Sequence, residues 1–109
     1  LADLEPARGS EANKIRPVII VMNDRGARRA SELRRGVVTV VPTTSNVRRI
    51  LNFQVELPAG AGGLREDSKA QAEQLRSCDF SRFVRRLGEL PDELMSELDD
   101  ALALHLGLT

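Results

Sequence analysis

Two runs of β-branched residues set the pattern of the chain. The first is Val37-Val38-Thr39-Val40-Val41, bounded by Gly36 and Pro42. The second is Val18-Ile19-Ile20-Val21-Met22, opened by Arg16-Pro17. Neither alternates with polar residues, which predicts strands covered on both faces, and the first reads as the central strand. Pro17 cannot donate to a ladder, so it fits only the first position of its strand. Ile50 to Leu57 behaves differently: Leu51, Phe53, Val55 and Leu57 alternate strictly with Asn52, Gln54 and Glu56, which predicts a half-exposed antiparallel strand. Leu1 to Leu4 alternates like the last piece of a strand, and Glu5 to Lys14 is a polar, turn-rich loop. Because the chain starts in mid-element without Met, an N-terminal strand is expected to be missing.

Helical periodicity appears twice. Asn23 or Asp24 can cap a short helix over Arg25 to Arg35, where Ala27, Ala30 and Leu33 recur on one side among five Arg. Such a run is either a solvated face or a phosphate-tracking one. Leu90-Pro91-Asp92-Glu93 starts a second helix, with Pro in its first turn and acids at the positive end of the dipole. Leu94, Leu98, Leu102 and Leu106 form its apolar stripe, widened by Met95 and Ala101, and Gly107 is its stop. Ser68 to Asp79 fits neither period, although propensity favours a helix there. Thr43-Thr44-Ser45-Asn46 has two readings. On the segment alone a turn is favoured, since these side chains bond local backbone; alternatively, a buried strand ending there presents hydroxyls and an amide at a pocket wall.

The 109 residues make one domain, 1–109, large enough for a small core. Aromatic residues are 3% of the chain, with no Trp or Tyr, so the core is aliphatic and nucleobase stacking is not the main binding device. The 16 basic and 16 acidic residues cancel overall but are unevenly placed. Residues 1–54 hold 10 basic and 5 acidic groups, whereas residues 87–109 hold 6 acidic and no basic ones. That asymmetry suggests one face for a polyanion and another kept away from it. Arg outnumbers Lys 14 to 2, which suits bidentate contacts to phosphate. Cys78 is alone, so no internal disulfide forms and a reducing compartment fits. No stretch reaches membrane-spanning length, and a soluble, cytoplasmic protein is expected. Pro58 to Gly63 lacks the Gly-Lys-Ser/Thr ending of a phosphate loop, no residue cluster has metal-ligand spacing, and His105 reads as a surface or capping group. Neither a metal nor a cofactor is expected.

Several pieces in order carry a resemblance: Glu5-Pro6 and Gly9-Ser10-Glu11, then Arg16-Pro17-Val18, Asn23-Asp24, Val41 to Asn46, and Asp67 to Arg76. Together they resemble the MazF/PemK family of toxin endoribonucleases, from Ala2 to the C-terminal helix. The resemblance implies a mainly β fold with short helices: an SH3-like, partly open β-barrel with a C-terminal α-helix. It also implies a homodimer, a MazE-like antitoxin partner, and a strand at Ser68 to Asp79 against propensity. The family's Arg-Gly-Glu-hydrophobic-Trp strand would lie just before Leu1 and is not in this sequence, so the barrel is expected to be open at that edge.

By the same resemblance Arg16 and Thr44 are the catalytic pair. The ribose 2′-hydroxyl is an internal nucleophile already near the phosphorus, so RNA can be cut without a metal if the enzyme orients it, moves protons and stabilises the phosphorane. A guanidinium suits that last task; read without the family, Arg16 is a strand-entry residue paired with Glu11. Thr44 can donate to a non-bridging oxygen, and Ser45 and Asn46 add donors or fix the loop. Some branches of the family carry an Arg and an acid where this chain has Gln71 and Glu73. Glu73 is therefore either a general base or half of a structural ion pair with an Arg. RNA contacts are expected from Glu11, Asn13, Lys14, Arg48, Arg49, Gln71 and Arg76, since single strands are read through exposed base edges. The expected products are a 2′,3′-cyclic phosphate and a 5′-hydroxyl. The alternatives are a CcdB-like gyrase-binding toxin on the same architecture, and an inactive truncated homologue.

Overall fold

The computed structural model describes residues 2–4, 16–22 and 24–108. Its organising element is β3 (Val37–Thr44), the doubly covered central strand. On one side β3 pairs with β2 (Arg16–Ile20), with Val18 opposite Pro42 and Ile20 opposite Val40. On its other side it has two successive partners. Val37 to Val40 pair with β6 (Arg76–Asp79), and Thr43 and Thr44 pair with β5 (Ser68–Gln71). No ladder partner faces Val41 and Pro42 on that side, because the chain between β5 and β6 makes a short 3-10 turn, Ala72–Gln74. A proline is tolerated in this central strand at the gap between two partners. Thr43 and Thr44 therefore belong to the strand, and the turn favoured on the segment alone begins only at Ser45.

All pairings are antiparallel. The sheet path runs β4 (Gln54–Leu57), β5, β3, β2, β1 (Ala2–Leu4), β7 (Phe83–Arg86), with β6 also on β3. Its two ends, β4 and β7, do not pair, which is the partly open barrel the resemblance implied.

Two helices cover the two faces, as the alternation along β3 dictates. Ile19, Val41, Val55, Leu57 and Ala70 point to one face and pack with Leu98 and Ala101 of α2 (Asp92–Leu106). Val18, Val38, Val40 and Cys78 point to the other and pack with Ala30 of α1 (Asp24–Leu33). Gly107 ends α2 in the left-handed conformation at φ 71°, its N–H reaching the carbonyls of Ala103 and Leu104. Arg34 does the same for α1 at φ 53°, and the Arg35 N–H returns to the Ala30 carbonyl at 3.3 Å. Gly63, at φ 87°, is required by contact as well: a Cβ there would lie 2.3 Å from the Leu87 carbonyl oxygen, so this turn rests backbone to backbone on the chain leading to α2.

The departures from the sequence reading have local causes. The strand expected over Ile50 to Leu57 is only Gln54–Leu57, because a turn occupies Asn52 and Phe53 and the Gln54 N–H closes on the Leu51 carbonyl. Gln54, expected on the polar side, is buried. Ser68 to Asp79 is two strands with a 3-10 break, not one. β2 starts at Arg16 and puts Pro17 second, paired with Asp3 of β1. β7 had no signal in the pattern: in Phe83-Val84-Arg85-Arg86 only Phe83 is half-buried, the other three are exposed, and nothing alternates. Of the two cap candidates, Asn23 lies outside the described residues, as does the Glu5 to Lys14 loop.

Candidate functional site

The register assembles the site. Continuing the Val18–Pro42 pairing by two residues brings Arg16 opposite Thr44. The Thr43 hydroxyl fixes that alignment by donating to the Pro17 carbonyl at 2.8 Å. On its other side Thr44 faces Lys69 of β5, and Lys69 faces Glu56 of β4. Directly opposed residues in antiparallel strands share a face. Arg16, Thr44, Lys69 and Glu56 thus form one row across four strands, on the face that also carries α1. Val38 and Val40 occupy the part of β3 that the helix covers, while the row lies further along the strand.

The next row is polar as well. Gln71 of β5 faces Gln54 of β4. The Gln54 amide donates to Glu73 Oε2 at 2.7 Å, and its carbonyl oxygen accepts from the Leu51 N–H at 2.9 Å. Burial of Gln54 is thereby compensated at both ends of its amide. The partner of Glu73 is this glutamine rather than the arginine expected for an ion pair. The other carboxylate oxygen, Glu73 Oε1, is buried with no hydrogen-bond partner. A buried acceptor left in that state costs free energy unless a donor reaches it.

Thr44 ends its strand in a chain of small bonds. Its Oγ1 accepts from the Asn46 N–H at 3.2 Å, and Asn46 Oδ1 accepts from the Arg48 N–H at 3.3 Å. Accepting in this way leaves the Thr44 hydroxyl proton available to donate elsewhere. Ser45, Asn46, Arg48 and Arg49 are exposed in the loop that follows. Lys69 Nζ donates to the Arg49 carbonyl at 2.6 Å, which ties that loop back to the row. Arg76 lies opposite Val40 on the same face, four residues before Thr44, or about 13 Å along the strand. The fold therefore gathers Arg16, Thr44, Ser45, Asn46, Arg48, Arg49, Gln71 and Glu73 around one polar end of the sheet and leaves Arg76 further along, beside Val40. Glu11, Asn13 and Lys14 lie outside the described residues.

Three residues of this surface, Lys69, Gln54 and Glu56, were missed. Lys69, one of only two lysines, was available as a signal but has no distinctive spacing. Gln54 was hidden because a polar residue in an alternating run reads as solvent-facing. Cys78 is no nucleophile here: it is buried under α1, and burial pushes its thiol up from the ordinary value. A cavity of about 650 Å³ lies elsewhere, between α1, β7 and the start of α2, and none of the residues of the row lines it.

This arrangement, cations and a strand-end hydroxyl on one face of an open antiparallel sheet with a C-terminal helix on the other, is that of a known class. The family described as PemK-like, MazF-like toxin of type II toxin-antitoxin system matches residues 1–106, and the chain belongs to it. Endoribonuclease MazF9 of Mycobacterium tuberculosis (strain ATCC 25618 / H37Rv) is 52% identical over 106 residues, spanning 97% of this chain and 90% of that protein. Among solved structures, an endoribonuclease in complex with its cognate antitoxin from a mycobacterial species aligns with a TM-score of 0.77 at 21% identity, over 99% of this chain and 91% of that one. MazF from Deinococcus radiodurans aligns with a TM-score of 0.73 at 27% identity, over 97% and 91%.

Proposed function

We propose that this toxin is an endoribonuclease that cuts single-stranded RNA without a metal cofactor. The observation that carries the reading is the strand register, which pairs Thr44 with Lys69 and, continued two residues past Val18–Pro42, sets Arg16 on its other side; the 52% identical relative named an endoribonuclease supports it. The substrate's own 2′-oxygen attacks phosphorus, forming the 2′,3′-cyclic phosphate as the bond to the 5′-oxygen breaks. The proton leaves the 2′-hydroxyl and one is delivered to the departing 5′-oxygen. Arg16 meets the developing charge on the non-bridging oxygens with a permanent guanidinium, and Thr44 adds a neutral donor. The 2′-hydroxyl proton is assigned to Glu73, which Gln54 holds beside the row through Oε2. Ser45 and Asn46 shape the loop, while Arg48, Arg49, Gln71 and Arg76 hold the strand. Incubating the protein with single-stranded RNA and EDTA tests this: cleavage continues, with cyclic phosphate and 5′-hydroxyl ends. Loss of cleavage on chelation would refute the metal-free reaction.

The working unit in this reading is a cytoplasmic homodimer. Val37, Val84, Leu104, Leu106 and Leu108 expose large apolar surfaces that a second copy can cover. Sedimentation at micromolar concentration is expected to give twice the chain mass, and a monomer would overturn it.

Control comes from an antitoxin, as for the mycobacterial and Deinococcus complexes. An acidic, extended antitoxin segment competes with RNA for the basic groove around Arg16, Arg48 and Arg49. In a titration with an uncleavable RNA, antitoxin displaces the RNA and both weaken as salt rises. A stable ternary complex would place the inhibitor elsewhere.

A further inference from the structure

We infer that the outward face of α1 is a second RNA contact, tracking the phosphates of the strand beyond the cleaved bond; this rests on the ribonuclease reading above. Arg25, Arg28, Arg29 and Glu32 are exposed at i, i+3, i+4 and i+7 spacing, on the side of α1 opposite buried Ala30. Three guanidinium groups share that face with one carboxylate. Among the described residues none of the three enters an ion pair, although Glu32 is within one helical turn of Arg28 and Arg29.

Placement turns this charge into a track. α1 lies on the same face of the sheet as the Arg16–Thr44–Lys69 row, since Ala30 packs with Val38 and Val40, and these stand an even number of residues from Thr44 along β3. Arg76, opposite Val40, stands between the row and the helix. A strand leaving the row toward α1 therefore meets Arg76 and then the helix. The opposite face is acidic: α2 covers it and carries Asp92, Glu93, Glu97, Asp99 and Asp100 with no Lys or Arg. Charge is thus segregated by face, and the basic face is continuous with the site. Arg rather than Lys on this helix favours planar, bidentate contact with phosphate. An acidic protein segment seated in the adjoining row would find the same charge, but RNA brings a further phosphate to the helix with every nucleotide beyond the cleaved bond.

The test compares wild type with the triple variant Arg25→Gln, Arg28→Gln, Arg29→Gln. The probes are 2′-O-methyl oligouridylates, roughly six and 24 nucleotides long, whose binding is followed by anisotropy across a salt series. Wild type should bind the longer probe at least about ten-fold more tightly. Removing three phosphate contacts should flatten its log–log salt dependence by about two. The triple variant should lose most of that length preference. The charge-preserving variant Arg25→Lys, Arg28→Lys, Arg29→Lys should keep the slope, which separates lost charge from lost fold. A Gln variant that melts like wild type and keeps both slope and length preference overturns the inference. So does loss of binding to a polyglutamate probe with RNA binding intact, which would assign the face to an acidic protein. Failure of wild type to cleave any RNA would refute the ribonuclease reading alone, because the probes report binding without cleavage.

Discussion

Arg16→Ala lowers the rate of RNA cleavage by at least about ten-fold, the scale of losing one donor to the transition state, while far-UV circular dichroism is unchanged. The reasoning is local. Arg16 stands at the start of β2, half-buried, opposite a residue whose hydroxyl already accepts one bond and can still donate. Its removal takes a permanent charge from the phosphorane without disturbing the core, whose nearest members, Val18 and Ile19, point to the two covered faces. Thr44→Ala is expected to cost at least as much in order of magnitude, since it removes a donor at the centre of the row. Full activity in Arg16→Ala would remove the assignment, and a loss confined to KM would make Arg16 a binding group only.

Leu98→Ala lowers stability by about 3 to 5 kcal/mol, the upper part of the range for emptying a filled aliphatic site. Leu98 is 0% exposed and is shared by α2 and by Val41, Val55, Leu57 and Ala70 beneath it. No aromatic ring is available in that cluster to move into the space. Urea unfolding should show a lower midpoint with an unchanged slope. A shift below about 1 kcal/mol would mean that the helix settles onto the sheet and fills the cavity.

The contrast between these two sites explains what the sequence made legible. The elements whose cause is local were readable: the doubly covered Val37 strand, the capped Leu94–Leu98–Leu102 helix, and the Arg-rich helix with Ala30 inward. Those decided across the sheet were not. Gln54 is buried because Glu73, nineteen positions away, receives its amide. Thr43 stays in the strand because β5 is there to pair with it and because Pro42 falls at the gap between two partners. β7 exists because β1 offers it an edge. For the site, family likeness pointed to Arg16 and Thr44, but their opposition is a property of strand register, and Lys69 enters by that register alone.

The pairing of β1 with β7 has a consequence for the order in which the molecule is built. Ala2 lies opposite Arg86, so this ladder joins segments 84 positions apart in the chain. Closing so long a loop carries an entropic cost that is recovered only when the strands between are already in place. The β2–β3–β6 core can assemble first, and the β1–β7 contact is then the last to zip. On a ribosome, β1 must wait for β7, some 80 positions later, before their ladder can form. A toxin built this way does not complete its sheet until β7 has been synthesised.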